Sequence, residues 1–135
     1  MSVTTALYQV EHQQSHDPRT AAASRLWSRR STDRPGYVIA RAEGELDAVL
    51  HNDFRALLTS CLADGCAALV LDLRATTFLS IRAAATVGDI APDAARRGIT
   101  MCVVSGRKEV ERALQVSGAR SCLRYYPTMR EALTS

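Results

Sequence analysis

The chain has 135 residues, 47% of them hydrophobic, which supports one buried core and argues against two domains. Its net charge of +3 is a small, scattered excess carried by arginine, with Lys108 the one lysine, so no nucleic-acid partner is expected. No apolar run nears the roughly 18 residues of a membrane span and the first residues lack a signal-peptide pattern, so a cytoplasmic protein without membrane association is expected.

Residues 1–23 mix Thr, Gln, His and Ser with scattered apolar positions and read as a flexible tail, leaving 24–135 as the domain. His12 and His16 have the i, i+4 spacing of a metal pair on a helix, but Asp17-Pro18 ends any helix at once, and solvated residues are the expectation. A strand through Leu26 and Trp27, the turn Asp33-Arg34-Pro35-Gly36 and a second strand from Tyr37 to Ala42 predict an N-terminal hairpin. Gly44-Glu45-Leu46-Asp47 then closes that strand and opens a helix, with Asp47 placed to accept from the N–H of Val49 or Leu50. Leu50, Phe54, Leu57, Leu58, Cys61 and Leu62 form one helical face, and Gly65 ends it.

Leu69 to Leu73 reads as a strand covered on both faces, running to a junction at Phe78-Leu79-Ser80-Ile81-Arg82. The alanine-rich helix that follows is predicted to turn Ile81, Ala84, Ala85, Gly88 and Ala91 inward, with Ser80 as its N-cap. Pro92 either kinks this helix, the favoured reading, or starts a last turn to Arg97 capped by Gly98. A strand at Ile99–Val104, a helix at Arg107–Ser117 stopped by Gly118, and a strand at Ser121–Tyr126 come next. Thr128-Met129-Arg130-Glu131 matches a capping box and predicts a short final helix. Helices alternating with strands after a hairpin imply an α/β fold, a mixed and mostly parallel sheet packed with about four helices.

Nothing in this order supplies catalysis. There is no nucleophile with its base, no G-x-S-x-G and no glycine-rich phosphate loop, so no enzyme and no cofactor is expected. Ser105-Gly106-Arg107-Lys108 places two cations at a strand-to-helix turn and is read as an ordinary solvated turn. Cys61, Cys66, Cys102 and Cys122 have neither C-x-x-C nor zinc spacing, so no metal is expected. They read mainly as core residues, with Cys61 and Cys66 kept as a possible redox pair.

The order of elements, Gly44-Glu45-Leu46-Asp47, and Val70-Leu71-Asp72-Leu73 followed by Phe78-Leu79 together resemble the STAS domain of bacterial anti-sigma factor antagonists, over roughly residues 24–133. The resemblance implies partner switching: the unphosphorylated antagonist binds an anti-sigma factor of histidine-kinase-like ATPase fold and frees a sigma factor, and phosphorylation of a serine at the start of the central helix ends the complex. Carried over by position, the family's Asp falls on Ser80, its acceptor on Ile81, the following small residue on Arg82 and the Gly on Ala83. Isoleucine has no hydroxyl, so the resemblance implies partner binding through Asp47, Ser80, Ile81 and Arg82 without the usual switch, unless Ser80 is phosphorylated instead. Thr76 and Thr77 are weaker acceptors. A cation at residue 82 opposes the helix macrodipole, which suggests an Asp47–Arg82 ion pair or an arginine extended into solvent. The alternatives are a non-phosphorylatable scaffold or subunit of a signalling or transport complex, and a small-ligand or redox-sensing module. The oligomeric state is not legible.

Overall fold

The computed structural model describes residues 24–119 and 123–135. The predicted tail with His12 and His16, the start of the last predicted strand, and Cys122 lie outside the described residues. Among the described residues the order is β1 (Ser24–Arg30), β2 (Tyr37–Leu46), a 3-10 turn (Ala48–Leu50), α1 (His51–Ala63), β3 (Ala68–Asp72), β4 (Thr76–Leu79), α2 (Ile81–Arg96), β5 (Thr100–Val104), α3 (Lys108–Val116), β6 (Arg124–Tyr126) and α4 (Met129–Thr134). The sheet runs β1-β2-β3-β5-β6, with β4 also paired to β2. Among the described residues the β1–β2 hairpin is the one antiparallel ladder and the others are parallel, as the alternation of helices and strands requires.

Alternation along the strands sorts side chains between two faces of unequal cover. Leu69 and Leu71 of β3, with Met101 and Val103 of β5, join a large core beneath α1, α2 and α3. Val70, Cys102 and Val104 point the other way and, with Ile39, form a smaller cluster with Ala132 and Leu133 of α4, against which Tyr37, Tyr126 and Met129 pack. The continuous apolar run of β3 is therefore required, because all five of its residues are buried. Arg34 ties the hairpin turn to α4: its guanidinium donates to the Leu133 carbonyl at 2.7 Å and lies 4.7 Å from the Tyr37 ring centre.

Two expectations need correction. First, residues 69–82 hold two strands rather than one strand leading to a helix. β3 leaves the sheet after Asp72, and Thr76–Leu79 re-enters beside the far half of β2, pairing Gly44 with Thr76 and Leu46 with Leu79. The register shifts between Gly44 and Glu45, where Gly44 has φ 86°, a bulge conformation that a side chain would strain. Second, the inward face of α2 is Ala83, Ala84, Val87, Ile90, Ala91 and Ala94, together with the buried Thr86; Ile81 is exposed, and Ala85 and Gly88 are half-buried. As the sequence reading allows, α2 carries Pro92 within it and runs on to Arg96, with Arg97 as its C-cap.

The apolar face predicted for α1 is buried without exception, and Gly65, Gly98 and Gly118 each lie one residue beyond a helix C-cap. Thr128 Oγ1 accepts from the Glu131 N–H at 3.2 Å and caps α4, which starts where the T-x-x-E pattern predicts.

Candidate functional site

The parallel β2–β4 ladder delivers two chain ends to the same edge of the molecule. Beyond its last pair, the Ser80 N–H donates to the Leu46 carbonyl at 3.0 Å, and both chains turn into helical segments at that point. On one chain Asp47 Oδ1 accepts from the N–H groups of Val49 and Leu50 at 3.1 and 3.2 Å, capping the 3-10 turn. On the other, Ser80 Oγ accepts from the Ala83 N–H at 3.0 Å and caps α2. The 3-10 turn packs against α2, so the two starts are neighbours in space.

Four large apolar side chains are exposed among the described residues, and three of them belong to this edge: Val49 at 83%, Phe78 at 49% and Ile81 at 51%. They are thus grouped around two helix starts rather than scattered singly over the surface. Arg82 stands exposed beside Ile81. The structure thus brings Asp47, Ser80, Ile81 and Arg82 to one edge. It does not join Asp47 to Arg82: no ion pair links them among the described residues, and the Asp47 carboxylate is occupied by backbone N–H groups.

The hydroxyls near the junction differ in access. Thr76 is buried, with Oγ1 donating to the Ala42 carbonyl at 2.8 Å, so it is held inside the sheet. Thr77 is exposed. Ser80 is half-buried and its oxygen is already engaged as a cap.

Sequence reasoning missed an ionic cluster at the end of β3. The Asp72 carboxylate, only 3% exposed, receives Arg41 Nη1 and Arg74 Nε each at 2.8 Å, and Arg41 Nε also reaches Glu43 at 2.8 Å. Burial works to raise the Asp72 pKa, but hydrogen bonds from Arg74 and Arg41 outweigh it and hold the group below its ordinary value. The signal in sequence was an aspartate inside an apolar strand, since such a residue must find partners. Its partners, from β2 and the following turn, are visible only in three dimensions.

The three described cysteines occupy buried or half-buried places. Cys61, Cys66 and Cys102 are free thiols, and the Cys66 thiol donates to the Cys61 carbonyl at 3.9 Å. Burial pushes Cys61 and Cys102 up to about 11 and also raises Cys66, so all three resist conversion to thiolate. Among the described residues no group of three or more His, Cys, Asp or Glu is arranged to hold a metal ion, and no helix is long and apolar enough to cross a membrane. His51, the one imidazole described, has Nδ1 2.9 Å from the Ala48 carbonyl oxygen, a local contact across the 3-10 turn. A cleft of about 180 Å³ opens at the ends of β5 and β6, lined by Ser105, Glu111, Tyr125, Tyr126 and Pro127. Within it Ser105 Oγ accepts from the Arg107 N–H at 3.4 Å, the local bonding of an ordinary turn.

Comparison with known proteins agrees with this architecture. The family model of the STAS domain matches residues 29–132. The anti-sigma-F factor antagonist RsfA of Mycobacterium tuberculosis is 31% identical over 100 residues, spanning 73% of this chain and 78% of that protein. An anti-sigma factor antagonist from Mycobacterium paratuberculosis has the same fold, with a TM-score of 0.74 at 22% identity over 87% of this chain and 95% of that one. The unphosphorylated form of SpoIIAA, a Bacillus cell fate determinant, is similar at a TM-score of 0.61 and 20% identity, over 79% of this chain and 91% of that one. With its sheet order, its two capped helix starts and these matches, the chain belongs to the STAS-domain family of anti-sigma factor antagonists.

Proposed function

We propose that this chain is a binding protein that captures an anti-sigma factor of histidine-kinase-like ATPase fold, in the cytoplasm, and so releases a sigma factor. The contact is made by the edge that carries Val49, Phe78, Ile81 and Arg82, with Asp47 and Ser80 holding its two helix starts in place. The observation that carries this reading is the exposure of Ile81 at the first position of α2. In the family's pattern that position holds the phosphate acceptor; here it holds an apolar side chain that gains by being covered. Ile81 is 51% exposed, so covering the rest is worth about 1 kcal/mol, affinity added at a place where a kinase finds no hydroxyl.

Regulation by phosphate at residue 81 is chemically impossible, and the complex is therefore constitutive with respect to that switch. Ser80 is the remaining nearby hydroxyl in the family's segment, and phosphorylating it replaces a neutral cap by a group carrying about −1.5 to −2 charge.

The test mixes the full chain with each ATPase-fold anti-sigma factor of the same genome, with and without ATP, and reads complex formation by size and covalent change by intact mass. A stable complex with no mass gain is expected. A gain of one phosphate localised to Ser80, with loss of the complex, would restore the ordinary switch. A stable complex with a transporter or signalling assembly and none with any anti-sigma factor would favour the scaffold reading.

A further inference from the structure

Arg82 is the residue of the contact edge that the chain itself does not explain. It occupies the first turn of α2, exposed, and its guanidinium has no hydrogen-bond, ion-pair or ring partner among the described residues. A helix start favours negative charge, yet the first turn of α2 contains no acidic residue to offset the cation. The carboxylates on the surrounding elements do not serve either. Asp47 is taken up by two backbone N–H groups, Asp89 of α2 pairs with Arg55 of α1 at 3.0 Å, and Glu45, the ladder partner of Phe78, makes no ion pair with Arg82. The charge is thus left beside exposed Ile81 on a surface whose apolar members gain from being covered.

We propose that Arg82 is a specificity determinant that pairs, in the complex, with a carboxylate on the anti-sigma factor. This rests on the reading of the edge as the docking surface. A guanidinium carried into an apolar contact without a counter-charge loses its hydration with nothing in return. A carboxylate at the rim of the pocket that takes Ile81 reverses that balance through charge-assisted, bidentate hydrogen bonds. The partner that fits is therefore a protein surface with an apolar depression for Ile81 and an Asp or Glu at its edge. A partner presenting a lysine or arginine there is rejected by like-charge repulsion, which lets one small domain discriminate among anti-sigma factors of the same fold.

The experiment titrates wild type, Arg82→Gln and Arg82→Glu of the full chain against the recombinant ATPase-fold anti-sigma factors of the same genome, at about 50 mM and about 500 mM salt. Arg82→Gln is expected to weaken the complex by about tenfold at low salt and to flatten its salt dependence, and Arg82→Glu by about a hundredfold. Both variants keep the wild-type melting temperature or exceed it slightly, because a cation leaves a helix start. Changing one partner Asp or Glu to Arg restores binding of Arg82→Glu and identifies the opposing carboxylate. Equal affinity of all three proteins overturns the role of Arg82 and leaves the docking reading standing. Failure of wild type to bind any of these factors, while correctly folded, overturns both.

Discussion

The Ser80 N–H donates to the Leu46 carbonyl at 3.0 Å, one step past the ladder pair of Leu46 and Leu79. That bond makes Asp47 and Ser80 the adjacent outlets of two parallel strands, and each residue spends its side-chain oxygen on the helical segment that follows it. The exposed side chains of this edge therefore stand on segments whose starts are capped: Val49, Leu50 and Ala83 each have their N–H satisfied by a side-chain oxygen.

Removing the α2 cap tests what it contributes. Ser80→Ala is expected to cost about 1 kcal/mol in denaturant unfolding, whereas Ser80→Asp keeps the acceptor and stays close to wild type. An unchanged midpoint for Ser80→Ala would show that the hydroxyl does not act as a cap.

Ile81 separates binding from stability. Because half of the side chain is exposed, Ile81→Ala should shift unfolding by no more than about 0.5 kcal/mol while weakening the anti-sigma complex by about tenfold. Phe54→Ala, by contrast, empties a side chain only 1% exposed and is expected to cost about 3–5 kcal/mol. A pulldown in which Ile81→Asp still binds as wild type would exclude this edge.

Asp72 makes stability depend on acid. Burial opposes its charge, the Arg74 and Arg41 hydrogen bonds overcome that cost, and the folded pKa lies below the ordinary 3.8. The contribution is therefore complete at pH values above the ordinary value and is lost as pH falls through the depressed one. Asp72→Asn leaves the two arginines without their shared counter-charge and is expected to cost about 3 kcal/mol at neutral pH. Unfolding midpoints followed from pH 7 downward should stay apart to the ordinary 3.8, begin to converge below it and meet only once pH has passed the depressed folded value. Parallel curves would assign the acid sensitivity to another group.

The thiols should react in order of access. Cys61 and Cys102 are buried and pushed up to about 11, while Cys66 is half-exposed and raised less severely. Brief alkylation of the native protein near pH 8, read by peptide mass, is expected to mark Cys66 well ahead of the other two. Rapid labelling of Cys61 would mean that the end of α1 opens readily.

Gly88 packs α2 against the segment after α3. A Cβ placed on it would lie 3.3 Å from the Ala119 Cβ, so the site has room for a hydrogen and little more. Gly88→Val is expected to destabilise by about 1–3 kcal/mol, measured by thermal or denaturant unfolding. A neutral result would show that the Ala119 segment yields freely.

The sequence was a good guide where a pattern spans several turns or repeats along a strand. The α1 face, the buried run of β3 and β5, the hairpin and the Thr128–Glu131 box all follow from local periodicity or capping chemistry, which a few neighbouring residues determine. β4 escaped because Thr76-Thr77-Phe78-Leu79 is too short to show a period. It is a strand only because β2 outlasts β3 and offers Gly44–Leu46 an unpaired parallel edge. The α2 face is hard to read for a related reason: small residues make up much of the helix, so side-chain size points only weakly to the core, and Ile81, the bulkiest apolar residue at its start, faces out.

For the site, the sequence alone determined that Ile81 carries no hydroxyl, that Ser80 stands where a cap belongs and that a cation follows. These are facts of covalent identity and of helix chemistry within four residues. Only the tertiary structure decided that Ile81 faces outward with Val49 and Phe78, that Asp47 is committed to backbone N–H groups rather than to Arg82, and that Asp72 is held between two arginines. Each of those outcomes depends on which distant strands lie side by side, and that register is set by burial of the whole sheet, which no local stretch of chain encodes.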